Sequence, residues 1–263
     1  MFMSSAKHHH IKHLTRLASA YRAAEAQVVR AFFKKRRTKK DHLRWLKAQG
    51  FKEYSAIKPI IDALTALYPN IDRGIHRRDY AELTKKLADE TKHARLVMDL
   101  LQEISGAKIT PRDLTWLSED RKLAKVRAKY SKSFAGLLHG AANISAKEIR
   151  RKDEQLERAA ITLTEGGGGA LYLVCSRLKK RGIEERIARA FHEILRDEVE
   201  HKDEGARSLV PLMKNEASFR RAAEIIREIS AQRLRMRNEQ FGFPLSRKAL
   251  EALDRQARNR MTV

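Results

Sequence analysis

Two copies of the pattern Glu-x-x-His stand in this 263-residue chain, Glu90 with His93 and Glu198 with His201. Residues i and i+3 share one face of a helix, so each pair aims a carboxylate and an imidazole at a single point. Oxygen and nitrogen donors of this kind suit iron or manganese. Glu90 continues the apolar row Leu83, Leu87, Ala94, Val97, and Glu198 continues the row Ile187, Phe191, Ile194. Both acids are therefore expected on buried faces, where a lone carboxylate is costly and needs a proton, a cation or a metal. Glu165, in "TLTEGGGGALY", lies 33 residues before Glu198, and Glu53 lies 37 residues before Glu90, in phase with Leu46, Gly50, Ile57 and Ile60. Asp62 is the alternative acid in the Glu53 segment, although it falls out of phase with the apolar row. The pattern thus occurs twice: a helix with an inward Glu, a turn, then a helix with an inward Glu and His.

Helices must position these side chains, and the sequence predicts helices almost everywhere. Apolar residues recur at intervals of three and four, strand-like alternation is absent, and there are only five prolines. A first segment covers about residues 8 to 35, with Ile11, Leu14, Leu17, Tyr21, Val28 and Phe32 on one face. A second starts at Asp41, read as its N-cap, and runs to "YPN", with Gly50 and Pro59 as points of kinking or division. A third covers about 77 to 104. "TPRD" opens a short helix, and another is expected around Asp120 to His139. Ser145 and Glu148 read as a capping box for a helix running to about Lys180 and ending at Gly182. Helices over about 184 to 214, 217 to 238 and 246 to 258 complete an all-α chain.

Charge is unevenly spread. The formal net charge is +23, and residues 1 to 50 carry thirteen Lys or Arg against Glu25 and Asp41, with "KKRRTKK" (34 to 40) the densest run. Such a field attracts phosphates, nucleic acid or anionic substrates, and equally describes a solvated basic face. No RNP pattern, zinc finger or aromatic-interleaved groove accompanies it, so nucleic-acid binding is expected to be weak. The single cysteine, Cys175, excludes an intrachain disulfide and any cysteine-built cluster, which leaves metal binding to His and carboxylates. No window approaches the roughly 20 apolar residues of a membrane span. The start "MFMSSAKHHHIKHL" lacks the apolar core of a secretory signal, so a cytoplasmic location and no membrane partner are expected.

Glu53 with Glu90-x-x-His93, followed by Glu165 with Glu198-x-x-His201, resembles the ferritin-like di-iron carboxylate superfamily. In that superfamily one Glu from each of two helices and a Glu-x-x-His from each of the other two hold two metals. The resemblance covers residues 41 to 214 and implies an antiparallel four-helix bundle there. Residues 1 to 40 form a basic N-terminal helical extension in this reading, and 215 to 263 are C-terminal helices packed on the bundle. The resemblance implies that Glu90 and Glu198 bridge two iron ions, with manganese or a mixed pair as variants. It makes His93 and His201 ligands to one ion each, and Glu53 and Glu165 the terminal carboxylates. Two features depart from the pattern: the first Glu-to-Glu spacing is four longer, absorbed by the turn "YPNIDRGIHRRDY", and Pro59 lies close to Glu53.

The function this implies is a soluble oxidase or oxygenase activating dioxygen to oxidise an organic substrate, for which the basic charge admits an anion. A ferroxidase or iron-handling protein is the alternative within the fold, and a homodimer is compatible with either. A nucleic-acid-binding helical protein is the alternative outside it, and a tRNA-modifying oxygenase would join the two. The four glycines after Glu165 cost roughly 0.8–1 kcal/mol each in a helix relative to alanine. They leave room beside the metals for dioxygen or substrate, or else allow close packing of two helix backbones. Tyr54 and Tyr172 are expected as ordinary buried tyrosines, with a place beside the centre as the alternative. Asp197, Glu200, Asp203 and Glu204 are expected on the solvent face, paired with nearby Lys and Arg.

Overall fold

Capping chemistry sets where the helices begin. In the computed structural model, which describes residues 5–69, 77–131, 152–165, 168–178, 181–201 and 204–260, α1 spans Ser5–Phe33 and α2 spans Lys39–Leu67. Thr38, not Asp41, is the N-cap of α2. Its hydroxyl accepts from the Asp41 amide at 3.2 Å while the Asp41 carboxylate accepts from the Thr38 amide at 2.9 Å. This reciprocal box displaces the expected start by three residues, because extended Thr38 satisfies a first-turn donor and Asp41 reaches back. Helix α2 continues through both Gly50 and Pro59, the proline removing only the donor for the Ser55 carbonyl.

Helix α3 spans Arg77–Ser105 and α4 spans Ser118–Tyr130. "TPRD" is a single 3-10 turn, Pro111–Asp113, closed by Asp113 accepting from the Thr110 amide and hydroxyl at 2.8 and 2.7 Å. The expected helix from Ser145 to Lys180 is described in two pieces, α5 (Lys152–Glu165) and α6 (Gly168–Ser176). Its capping residues Ser145 and Glu148 lie outside the described residues, as does the stretch after Ser131 over which α4 is expected to continue. Gly182, at φ +78°, adopts the left-handed turn that precedes α7 (Ile183–His201). The short α8 (Glu204–Leu209) and a 3-10 turn fill the rest of the segment expected to 214. Asn215 caps α9 (Glu216–Gln240) and Ser246 caps α10 (Arg247–Asn259). The protein is all-α, with no strand among the described residues and no helix among them long and apolar enough to cross a membrane.

Four helices surround one region. Helix α2 packs antiparallel to α3, and α3 antiparallel to α7, with Arg186–Glu103 at one end (3.4 Å) and Lys92–Asp197 at the other (2.8 Å). The α6–α7 hairpin closes the group. At Gly50 a Cβ atom would meet Leu114 Cδ2 at 2.9 Å and Val97 Cγ1 at 3.4 Å, so the missing side chain lets α3 approach α2 closely. Buried between these helices are Trp45, Leu46, Val97, Leu101, Leu171, Ile187 and Phe191, each worth about 1.5–3 kcal/mol of apolar burial.

Helix α1 is no loose arm. It packs along α9 and against α6 and α10, burying Leu14, Leu17, Tyr21, Val28 and Phe32. The face also carries an acid. Glu25, 1% exposed, receives Arg233 Nε at 3.4 Å and Arg237 Nε at 3.2 Å, both from α9 and both buried. A charge left alone there has no water to replace its partner. Glu25→Leu is therefore expected to cost about 3–5 kcal/mol in urea unfolding, because it strands two buried guanidinium groups. Glu251→Gln, which breaks only the exposed pair with Arg247, should cost under about 1 kcal/mol. Equal losses would show that α1 is not anchored through Glu25.

Candidate metal centre

Glu53 lies at 4% exposure on the inner row of α2, and the α3 row turns half-buried Glu90 and 1%-exposed His93 towards it. One ligand atom from each of the three lies within 4.8 Å of the others. The antiparallel packing at Gly50, one turn before Glu53, brings the two helices this close. From α7, Glu198 adds a fourth group, its Oε1 3.9 Å from His93 Nδ1. Glu53, Glu90, His93 and Glu198 are thus brought together as the spacing predicts. Glu165 and His201 are the final residues of α5 and α7, and their side chains lie outside the described residues. Asp62 turns elsewhere, into an i,i+4 pair with Lys58 at 2.8 Å.

The buried carboxylate of Glu53 is held from one side. Gln49 Nε2 donates to its Oε1 at 2.5 Å, and the Tyr172 hydroxyl donates to the same oxygen at 2.9 Å. Burial, together with Glu53, Glu198 and Glu90, pushes the Tyr172 phenol well above its ordinary value, so it remains a donor at neutral pH. Tyr172 therefore takes the position beside the site, whereas Tyr54 is 44% exposed and belongs to the outer face of α2.

Asp197 departs from its expected place. It does pair with a lysine, Lys92 at 2.8 Å, but it also lies 3.3 Å from His93 Nε2 instead of remaining on a solvent face. Burial acts to raise the Asp197 pKa, yet the bonds from Lys92 and His93 outweigh it and hold the carboxyl below its ordinary value. An ionised carboxylate only accepts, which selects the His93 tautomer protonated on Nε2. In the neutral ring Nδ1 then carries the lone pair. Nδ1 is buried, without a hydrogen-bond partner among the described residues, and lies 3.9 Å from Glu198 Oε1. Glu200, Asp203 and Glu204, expected to pair on the solvent face, have side chains outside the described residues, and Gly166 and Gly167 themselves lie outside them. At Gly169 a Cβ would meet nothing within 4 Å among the described residues.

Behind Glu53 runs a chain of buried polar groups that helical periodicity does not reveal. Gln49 Oε1 accepts from Gln240 Nε2 at 2.9 Å, and Gln240 Oε1 accepts from Arg237 Nη1 at 2.6 Å and from Lys52 Nζ at 2.7 Å. Arg237 is the residue held by Glu25. Each bond points its donor towards Glu53, so the guanidinium and the two amides are aligned in one direction along the chain of hydrogen bonds. Gln49 does leave a signal in the sequence, being four residues before Glu53 on the same face. Arg237 and Gln240 carry none, since they come from α9.

No protein-family model, curated protein or solved structure matches the chain. The geometry makes its own prediction. Gln49→Leu and Tyr172→Phe each remove one donor from Glu53 Oε1 and should each cost about 1–3 kcal/mol in metal-free unfolding. Because both serve one atom, the double variant should depart from the sum by about 0.5 kcal/mol or more. Strict additivity would mean that the two donors do not share Glu53.

Proposed function

We propose that the protein is a dinuclear metal oxidoreductase, an oxidase or oxygenase that activates dioxygen to oxidise an organic substrate. The fold in this reading is a ferritin-like arrangement of α2, α3, the α5–α6 segment and α7. The observation that carries it is the buried convergence of Glu53, Glu90 and His93, with Glu198 facing His93 Nδ1. Buried Glu53 and His93, with half-buried Glu90 and Glu198 beside them, form the kind of oxygen- and nitrogen-rich group that a cation can join. An imidazole whose buried ring nitrogen lacks a hydrogen-bond partner is the donor such an ion would take. The set fits iron or manganese better than softer ions, because it is rich in oxygen and contains no thiolate.

Glu53 and His93 would hold one ion, Glu165 and His201 the other, and Glu90 and Glu198 would bridge. Two iron ions, or manganese in either position, supply redox chemistry towards dioxygen when bound. The protein residues orient and tune. Asp197 would orient the His93 ring from behind, and Gln49 and Tyr172 would hold the Glu53 carboxylate through Oε1. Phe191, 5.9 Å from the Tyr172 ring and 5.5 Å from Trp45, walls one side of the site with apolar surface. As an oxygenase the protein would take two electrons from the substrate and two from an external donor, placing one oxygen atom in product and releasing the other as water. A ferroxidase fits the same ligands, but iron storage calls for acidic inner surfaces, and this chain carries +23.

A second reading, binding of nucleic acid, has its own observation. Lys39 Nζ donates to the Ser105 carbonyl at 3.2 Å, and Arg186 pairs with Glu103 at 3.4 Å. These contacts bring the 34–40 run, the end of α3 and the start of α7 to one end of the bundle. Lys34, Lys35 and Arg36 are exposed there, with Lys108 and Arg181 on the neighbouring connections. Arg37 is otherwise engaged, donating to the Phe32 carbonyl at 2.6 Å and stacking over its ring.

Protein reconstituted anaerobically with ferrous iron is expected to hold two ions per chain and to change its absorbance rapidly on mixing with oxygenated buffer. Glu198→Ala should lose both the second equivalent and the reaction, as measured by metal analysis and stopped-flow spectroscopy. Two ions retained in that variant would overturn the assignment. For the basic end, replacing Lys34, Lys35 and Arg36 by Gln should leave metal content intact. It should also flatten the salt dependence of nucleic-acid binding by up to about 0.9 in the log–log slope for each phosphate that the variant no longer neutralises. Parent protein titrated with tRNA and duplex DNA is expected to bind weakly and without selectivity. A tight tRNA-selective complex at physiological salt would overturn that expectation and favour the tRNA-modifying reading, and identical slopes would remove the basic end from the binding surface.

A further inference from the structure

The first turns of α1 carry a second group of metal-ligating side chains: His8, His9, His10 and His13. They lie far from the carboxylate centre. The His10 ring stacks on Phe219 at 4.5 Å, near the start of α9, whereas Gln240, which leads to Glu53, ends that helix. At 1.5 Å of rise per residue, the stretch of α9 between them is roughly 30 Å long.

The histidines differ in what they already do. His10 is committed to structure, with its Nε2 3.3 Å from the Glu216 carboxylate and its ring against Phe219. His8 is exposed, and its side chain lies about 100° round the helix from that of His9. His9 and His13 are one turn apart on a common face, with ring centroids 4.2 Å apart and planes tilted by 54°. Two imidazoles at i and i+4 form the helical spacing that lets both ring nitrogens reach one ion, as in helices that bind zinc through paired histidines. Small rotations about the side-chain bonds bring nitrogens at this separation to the roughly 2.0–2.1 Å that zinc requires. Apart from its contact with the His13 ring, His9 faces solvent, so an ion has open access and keeps water in its remaining positions.

We propose that His9 and His13 form a surface site for a late first-row divalent ion, taking copper(II) most tightly and nickel(II) and zinc(II) less so. The ligand chemistry sets that class. Imidazole nitrogen suits copper, nickel and zinc, and two neutral nitrogens offer little to magnesium or calcium, which need oxygen. Lys12 and Arg16 flank the pair and repel any dication, so only ions that gain strongly from direct nitrogen ligation bind there. The site is independent of the dinuclear reading: it uses no residue of that centre and prefers a different class of ion.

The test uses the full-length chain carrying Glu198→Ala, so that binding at the carboxylate centre is already impaired. Copper(II) and nickel(II) are titrated against this protein and against the same protein with His8→Ala, His9→Ala or His13→Ala added. Circular dichroism checks that α1 is retained. Loss of His9 or His13 is expected to weaken binding at least about tenfold, the lower end of what even a hydrogen-bond partner of a metal ligand contributes. His8→Ala should leave the affinity unchanged, and electron paramagnetic resonance of the copper form should show two equivalent imidazole nitrogens. Unchanged affinity in both His9→Ala and His13→Ala overturns the proposal. So does an equal loss in His8→Ala, which would mean a diffuse histidine cluster and no defined pair.

Discussion

A carboxylate removed from water must be given donors or a cation, and the burial of Glu53 imposes that demand on the centre of the bundle. The structure meets it with protein donors. Gln49 and Tyr172 both donate to one oxygen, and Gln49 is itself aligned by Gln240, Gln240 by Arg237, and Arg237 by Glu25. Helices α1, α9, α2 and α6 are therefore tied by one polarised path that runs from one buried acid to another. Removing a link exposes a charge at each end to a medium that cannot solvate it. A cation between Glu53, Glu90 and His93 would add to what these protein donors supply.

The same constraint explains how a chain of +23 can concentrate acids around one histidine. In "RDEVEHKDEGA" the acids do not share one role. Glu198 points at His93 from the inside, and Asp197 grips the opposite ring nitrogen while held by Lys92. Adjacent residues on α7 thus contact the two nitrogens of one imidazole contributed by α3. The cations that dominate the composition are mostly on the outside, where solvation costs little. Arg233 and Arg237 are buried exceptions, and both are paired with Glu25.

Much of this is legible in one dimension because helical phase is a local property. The rows through Glu53, Glu90 and Glu198 mark those acids as inward, and the preference for Glu53 over Asp62 follows from phase alone. The points where sequence and structure part share a cause. Asp41 precedes an apolar run and so reads as a cap, but Thr38 satisfies the same donors while Asp41 answers it. Periodicity assigns Asp197 to solvent because one helix has a single inner face, yet α7 meets α3 over a width that includes position 197. Tyr54 and Tyr172 look alike in the sequence, and their burial separates them.

By itself the sequence determined that the chain is helical, where most helices lie, and which acids and which histidine of the first half turn inward. These follow from periodicity, capping and turn residues, whose reach is a few positions along the chain. The tertiary structure decided what those side chains meet: Tyr172 and Gln49 on one oxygen of Glu53, Asp197 behind His93, and Arg237 and Glu25 at the far end of the chain of amides. Phase states that a residue is buried but not what buries it. The partners come from helices up to about two hundred positions away, and only the packing of α1, α3, α6, α7 and α9 selects them.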